Sequence, residues 1–215
     1  MARRTKEEAQ ATRCLILDTA ERTFSENGVS HTSLLDIATA AGLTRGAIYW
    51  HFKNKCELFS AMVDRELLPL DELLATTFDA REPDPLQRLR DIIVDCLCDM
   101  MRNPRRRTIV EILLLKWEHT QDMQPVIDRK QINVRQSIER MQRGLDNAVA
   151  KAQLPAALDT QRAAQFLHAL IVGVMSDYLT ASEHLDILVE APRLIDAYLD
   201  MLRLSPAMRR IAAPV

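Results

Sequence analysis

Glycine and aromatic residues are scarce in this chain, with 5 Gly in 215 residues and aromatics at 5 %. β-branched runs are few as well, so the usual material of strands is missing. No Gly-rich phosphate loop, nucleophile–base motif or His/Cys/Asp cluster appears, which argues against an enzyme. Cys14, Cys56, Cys96 and Cys98 lack metal-ligand spacing; Cys96 and Cys98 fall about 200° apart on a helix. Reduced thiols are therefore expected, with neither metal nor cofactor. The most apolar stretch, Phe166 to Leu179, is 14 residues long and contains His168, Ser176 and Asp177. A bilayer needs ~20 apolar residues. Met1 to Lys6 leads straight into polar sequence, so no signal peptide is read and a soluble, cytoplasmic chain is expected. His119 and His184 stand alone, Glu118-His119 is one pair at a helix end, and Arg105-Arg106-Arg107 reads most simply as a solvated face.

What is present favours an all-α protein. Hydrophobic residues make up 47 % and charged residues 27 %, and Leu, Ala, Arg, Glu, Gln and Met are good helix formers. Net charge is −2, with Arg3, Arg4 and Lys6 concentrated at the start. A basic arm on an otherwise acidic chain suits contact with phosphates at one end only; a solvated tail fits the charge equally well.

Apolar spacing predicts a first helix over about Glu8 to Asn27, ended by Gly28. Ser33 caps a short helix with Asp36 in a capping-box position, burying Leu34, Ile37, Ala38 and Ala41. Gly42 ends it, Thr44 caps another short helix to about His51, and Asn54 caps a fourth, with Glu57 three residues on, towards Phe78. Asp79 to Pro85 is a connection. Helices follow at about 86–102, 105–118, 121–152, 159–181 (capped by Asp159) and 186–203, where Pro192 either kinks the last one or moves its start to near Ala191. The division expected is 1–55 as a three-helix head with the helix-turn-helix at about 33–52, 56–78 as a connecting helix, 79–204 as a larger helical domain for ligand binding and dimerisation, and 205–215 as a loosely held tail. That makes about nine helices.

Two short capped helices joined by a Gly-containing turn describe a helix-turn-helix. On a helical wheel of the second, Arg45, Gly46, Tyr49 and Trp50 share one sector while Ala47 and Ile48 take the other. Such a face suits a DNA major groove. Arg45 can donate two hydrogen bonds to a guanine edge, and Gly46 allows close approach to bases. Tyr49 can offer a hydroxyl or a ring, and Trp50 and His51 can reach phosphates. Ser33, Thr44 and Lys55 lie at helix starts, where amide N–H groups favour an anion. The competing reading makes Tyr49, Trp50 and Phe52 a core cluster and Arg45 a solvated charge; the capped partner helix, the Gly turn and the basic arm together weigh against it.

At these residues the chain resembles the TetR family of bacterial repressors. The resemblance covers about residues 9–60, including Thr32-Ser33, Ile37-Ala38, Ala41-Gly42-Leu43-Thr44 and Tyr49-Trp50-His51-Phe52 followed by Lys55. It is closer to the AcrR-like branch, repressors of multidrug efflux operons. The opening Met1 to Glu8, Glu111-Ile112-Leu113 with Lys116 and Glu118, and the closing Asp200 to Pro206 are similar to that branch. The resemblance implies a head of three helices, a fourth connecting it to a sensor, and two last helices pairing with a second subunit on palindromic double-stranded operator DNA. Residues 166–179 are apolar nearly all round, which reads as burial on more than one side, with Gly173 permitting close helix approach; an intrachain core helix explains the pattern too.

The branch implies release by a small hydrophobic inducer, a drug, dye or plant-type aromatic. Candidate wall residues are Leu89, Ile92, Val134, Met141, Ile171 and Met175, and candidate polar contacts are Glu111, Ser137 and His168. Met suits an adaptable wall; each of these residues is also what an ordinary core would hold. Control of a metabolic operon, or action without an inducer, is the alternative left open, while an architectural DNA protein would need more positive charge.

Overall fold

The computed structural model describes residues 6–116, 123–180 and 186–210. Arg3, Arg4, Glu118, His119 and His184 lie outside the described residues. Among those described, nine α-helices follow one another: α1 Lys6–Asn27, α2 Leu34–Ala40, α3 Arg45–His51, α4 Lys55–Thr77, α5 Pro85–Arg102, α6 Pro104–Leu115, α7 Gln124–Ala150, α8 Thr160–Thr180 and α9 Ile187–Leu204. A short 3-10 turn, Pro206–Met208, comes after them. The chain forms two compact units, one of residues 1–67 and 105–131, the other of 68–104 and 132–215. The boundary thus falls inside α4 and inside α7, and α6 belongs with the head. Two residues past the α4 boundary sits Pro69, whose missing N–H leaves the Arg65 carbonyl without its helical donor.

In the first unit local chemistry places the helix ends. Gly28 takes φ +79° and Gly42 φ +66°, backbone conformations that a side chain would strain. The Ser33 hydroxyl accepts from the Asp36 amide, and the Asp36 carboxylate accepts from the Ser33 amide at 2.8 Å. Thr44 Oγ1 caps α3 through the Ala47 amide. Asn54 Oδ1 accepts from the Glu57 amide at 2.8 Å, while the Glu57 carboxylate reaches back one residue further than expected, to the Lys53 amide.

The core of this unit draws Ile16, Leu17, Ala20 and Phe24 from α1, Leu34, Ile37 and Ala38 from α2, Ile48 from α3, and Leu58, Phe59, Met62 and Val63 from α4. Phe24 meets Phe59 edge to face, ring centres 5.9 Å apart. Ile109 and Ile112 of α6, with Met123 and Val126 around the start of α7, complete it. The expected head of residues 1–55 is therefore only part of this hydrophobic core.

Polar ties fix α6 in place. Arg105 ion-pairs with Asp18 and Glu21 of α1 and Glu66 of α4, and Arg65 pairs with the same two α1 carboxylates. Arg106 donates to the Glu66 carbonyl at 2.9 Å. The expected solvated face of Arg105-Arg106-Arg107 holds for Arg107, which is exposed, whereas Arg105 and Arg106 are half-buried. The correction has a plain cause: α6 returns the first two arginines onto acidic positions of α1 and α4 that are distant in sequence.

The second unit is helical as well. α5 packs chiefly on α9 and also on α8, burying Leu86, Leu89, Ile92, Ile93, Cys96, Leu97 and Met100. Tyr198 of α9 donates to the Ala163 carbonyl of α8 at 2.7 Å, and burial pushes its phenol well above the ordinary range. Gly144 of α7 lies against Thr77; a Cβ there would come 3.0 Å from the Thr77 Cβ and closer still to its hydroxyl, so only glycine lets α7 approach the end of α4 this closely. Asn147 then bonds the Thr77 and Asp79 carbonyls, and the Arg143 guanidinium stands 3.6 Å above the Phe78 ring.

Three expectations need amendment here. α9 runs from Ile187 with Pro192 inside it, so its start is not displaced to Ala191. α8 buries Ala163, Ala164, Leu167, Ile171, Val174 and Tyr178 but exposes Phe166, Ala169 and Gly173, so one face is open in the subunit. The segment from Ser205 is pinned as far as Arg210: the Asp159 amide donates to the Met208 carbonyl, the Arg210 amide to Ala157, and Arg209 to the carbonyls of Leu202 and Arg203.

Candidate DNA-reading surface and sensor residues

The short helix α3 divides its residues sharply. Ile48 is fully buried and Ala47 half-buried, while Tyr49 is 44 % and Trp50 71 % exposed. Tyr49 and Trp50 thus share one exposed face of α3 with Arg45 and Gly46. Arg45 is exposed, its guanidinium 5.5 Å from the centre of the Tyr49 ring. This cation–π contact limits where the Arg45 fork points. A Cβ at Gly46 would meet nothing within 4 Å, so no packing inside the subunit demands glycine there.

The competing core reading separates into two halves. Phe52 is indeed core, with Arg13 over its ring at 5.2 Å, whereas Tyr49 and Trp50 are not. His51 is half-buried and meets Trp50 edge to face, ring centres 4.5 Å apart. Thr44 and Ser33 are exposed at the starts of α3 and α2. The Ser33 hydroxyl also donates to the Asp36 carboxylate at 2.7 Å, and these bonds hold that carboxyl below its ordinary range. Lys55 begins α4 with its side chain turned inward. Its ammonium donates to the carbonyls of Val29 at 2.9 Å and Ser30 at 3.2 Å and is part-buried. A lysine that begins a helix carries no sequence signal for such an inward turn.

The sensor candidates sort by unit. Leu89 and Ile92 on α5, Val134, Ser137 and Met141 on α7, and His168, Ile171 and Met175 on α8 all lie in the second unit. Leu89, Ile92, Met141 and Ile171 are buried; Val134, Ser137, His168 and Met175 are half-buried. Burial lowers the His168 pKa, favouring its neutral ring. Glu111 lies apart in the first unit, its carboxylate 3.3 Å from the Lys116 ammonium. No group of His, Cys, Asp or Glu side chains among the described residues could hold a metal ion, and no helix there is long and apolar enough to cross a membrane.

Residues 16–62 match the family described as "Bacterial regulatory proteins, tetR family", and residues 84–204 match the "MAATS-type transcriptional repressor, C-terminal region". The chain is 42 % identical over 210 residues to the HTH-type transcriptional regulator TtgR of Pseudomonas putida, covering 98 % of this chain and all of that one. Among solved structures, native NalD, the secondary repressor of the MexAB-OprM multidrug efflux pump in Pseudomonas aeruginosa, superposes with a TM-score of 0.84 at 34 % identity, covering 92 % of this chain and 99 % of that one. SmeT, the repressor of the Stenotrophomonas maltophilia multidrug efflux pump SmeDEF, gives 0.80 at 32 % identity over 96 % of this chain and 98 % of that one; its complex with triclosan gives 0.84 at 32 % identity, with 95 % and 99 % covered. The relatives are matched over nearly the whole length, and the chain belongs to the TetR family of bacterial transcriptional regulators.

Proposed function

We propose that this chain is a repressor that binds a palindromic operator as a homodimer and leaves it when a small hydrophobic compound occupies the second unit, controlling a multidrug efflux operon. The observation that carries the reading is α3, whose buried Ile48 anchors a helix that turns Arg45, Tyr49 and Trp50 outward. Arg45 would read a base edge, Gly46 would admit the groove wall, and Thr44, Tyr49, Trp50 and His51 would position the helix on phosphates and sugars. NalD and SmeT repress multidrug efflux pumps, and SmeT binds triclosan, which supports the same class of target and effector here.

Dimerisation follows from the same chemistry. Two half-sites one helical turn apart, ~34–36 Å, call for two heads related by a two-fold axis. Phe166, Ala169 and Gly173 on α8, with Leu188, Val189 and Leu204 on α9, are exposed apolar or small residues suited to self-complementary packing. Leu89, Ile92, Val134, Met141, Ile171 and Met175 would give an inducer its apolar wall, with Ser137 and neutral His168 as orienting polar groups. Such a ligand acts by its differential affinity for two head arrangements and shifts the population away from the operator-competent one.

The experiment is binding of the purified protein to the DNA upstream of its own gene, with and without triclosan and a panel of hydrophobic antibiotics and dyes. Tight, salt-dependent binding released by some of these compounds is expected. Binding to that DNA no tighter than to random sequence refutes the repressor reading, and specific binding that no compound releases refutes the inducer.

A further inference from the structure

The turn that carries α1 into α2 is gripped from two distant parts of the chain. Gly28 opens it with φ +79°, and Thr32 Oγ1 donates to the Gly28 carbonyl at 2.8 Å. The next two carbonyls, Val29 and Ser30, accept from the ammonium of Lys55, 26 and 25 residues away, at the first position of α4. From the other side, the Val29 amide donates to the Lys116 carbonyl just past the end of α6, at 3.0 Å. The Val29 side chain is fully buried in the head core. Three successive carbonyls and one amide of a six-residue turn are thus satisfied by groups other than its own helices.

This arrangement decides what Lys55 can do. An ammonium offers three donors, and two are spent on main-chain oxygens. Swinging it out to a phosphate would take a charge-assisted hydrogen bond from each carbonyl, leaving Val29 with the 3.4 Å bond from the Thr32 amide. The turn in turn fixes where Ser33 starts α2, and α2 packs on α3.

We propose that Lys55 is a positioning residue of the reading surface, holding the Gly28–Ser33 turn through the Val29 and Ser30 carbonyls instead of neutralising a phosphate, and that this turn is where the end of α6 is tied to the helix-turn-helix. The proposal rests on the operator-binding reading above for its DNA arm only. It sets Lys55 apart from Arg45, Tyr49 and Trp50, which the operator-binding reading places against DNA.

Two measurements test it. In the full-length protein without DNA, acetic anhydride should modify Lys55 about tenfold more slowly than exposed Lys53, the factor that one net charged hydrogen bond supplies. Adding operator should leave the Lys55 rate unchanged. Lys55→Met, which keeps the stem and removes the ammonium, should speed amide exchange across residues 28–34 but not in α5. At temperatures well below Tm it should weaken operator binding about tenfold at every salt concentration with an unchanged salt slope, and Lys55→Arg should restore part of the affinity. A Lys55 that reacts as fast as Lys53 and becomes protected by operator overturns the proposal. So does a salt slope flattened by about one unit with exchange at 28–34 unaltered, the signature of a phosphate contact. The acetylation and exchange arms in DNA-free protein are decisive even if no operator is found, which separates failure of this proposal from failure of the repressor reading.

Discussion

Arg105, in the first turn of α6, places its Nε 3.0 Å from a carboxylate oxygen of Glu21 on α1. The pair joins segments more than eighty residues apart. Burial raises the Glu21 carboxyl pKa above its ordinary value, and the Arg105 guanidinium offsets only part of that rise. With Asp18, Arg65 and Glu66 in the same cluster, the N-terminal end of α6 is held to both α1 and α4. Its far end is bonded through the Lys116 carbonyl to Val29. Between these ends Ile109 and Ile112 are buried in the head core.

Ile112 is the test of that buried middle. It is fully enclosed in the head core, so Ile112→Ala should cost about 2–5 kcal/mol in chemical denaturation. Amide exchange should accelerate in α1 through α4 while α5 and α9 keep their protection. Acceleration confined to α6 would show that the head core closes without it.

Arg45→Ala should weaken binding to the cognate operator by about 1–3 kcal/mol and relax preference at one base pair. Anisotropy titrations on operators varied one pair at a time provide the check. An equal loss on random DNA would make Arg45 a phosphate contact.

Gly173 offers a clean probe of the proposed dimer. A Cβ there would meet nothing within 4 Å of its own subunit, so Gly173→Glu should leave the fold intact and raise local helix propensity. Sedimentation should then show monomers with unchanged far-UV circular dichroism. An intact dimer would place the interface elsewhere.

The capping box of α2 should give a pH signature. The Ser33 bonds hold the Asp36 pKa below its ordinary value of 3.8, so its contribution is present above that value and is lost as pH falls through the lowered folded-state pKa. Asp36→Asn should therefore lower Tm modestly at pH 7, with the gap to the parent closing below about pH 4. A gap constant from pH 7 to pH 3 would mean the charge plays no part.

The helix-turn-helix was legible in sequence because local rules govern it. Ser33, Thr44 and Asn54 cap the helices their positions announce, and Gly28 and Gly42 turn the chain where a positive φ is needed. The wheel of α3 separated Ile48 from Arg45, Tyr49 and Trp50 because one turn of helix decides it. What escaped depends on pairings across the chain. Nothing near Arg105 announces Asp18 and Glu21, nothing near Lys55 announces the Val29 carbonyl, and Ile109 and Ile112 read as the core of whichever domain holds α6. Along α8 the apolar pattern left two readings, a core helix of the subunit and one also packed on a second copy; Phe166, Ala169 and Gly173 are exposed within the subunit. The tail beyond Ser205 read as loose because prolines and small residues carry no hint of the Leu158–Arg209 bridge.

Reciprocal linkage tests the proposed ligand-released repressor most directly. Operator affinity would be measured across a triclosan series, and triclosan affinity with and without saturating operator. If one dimer holds both sites on two head arrangements, each ligand must weaken the other by the same factor, typically about 5–150-fold. Triclosan that binds tightly while operator affinity stays constant would contradict the coupling.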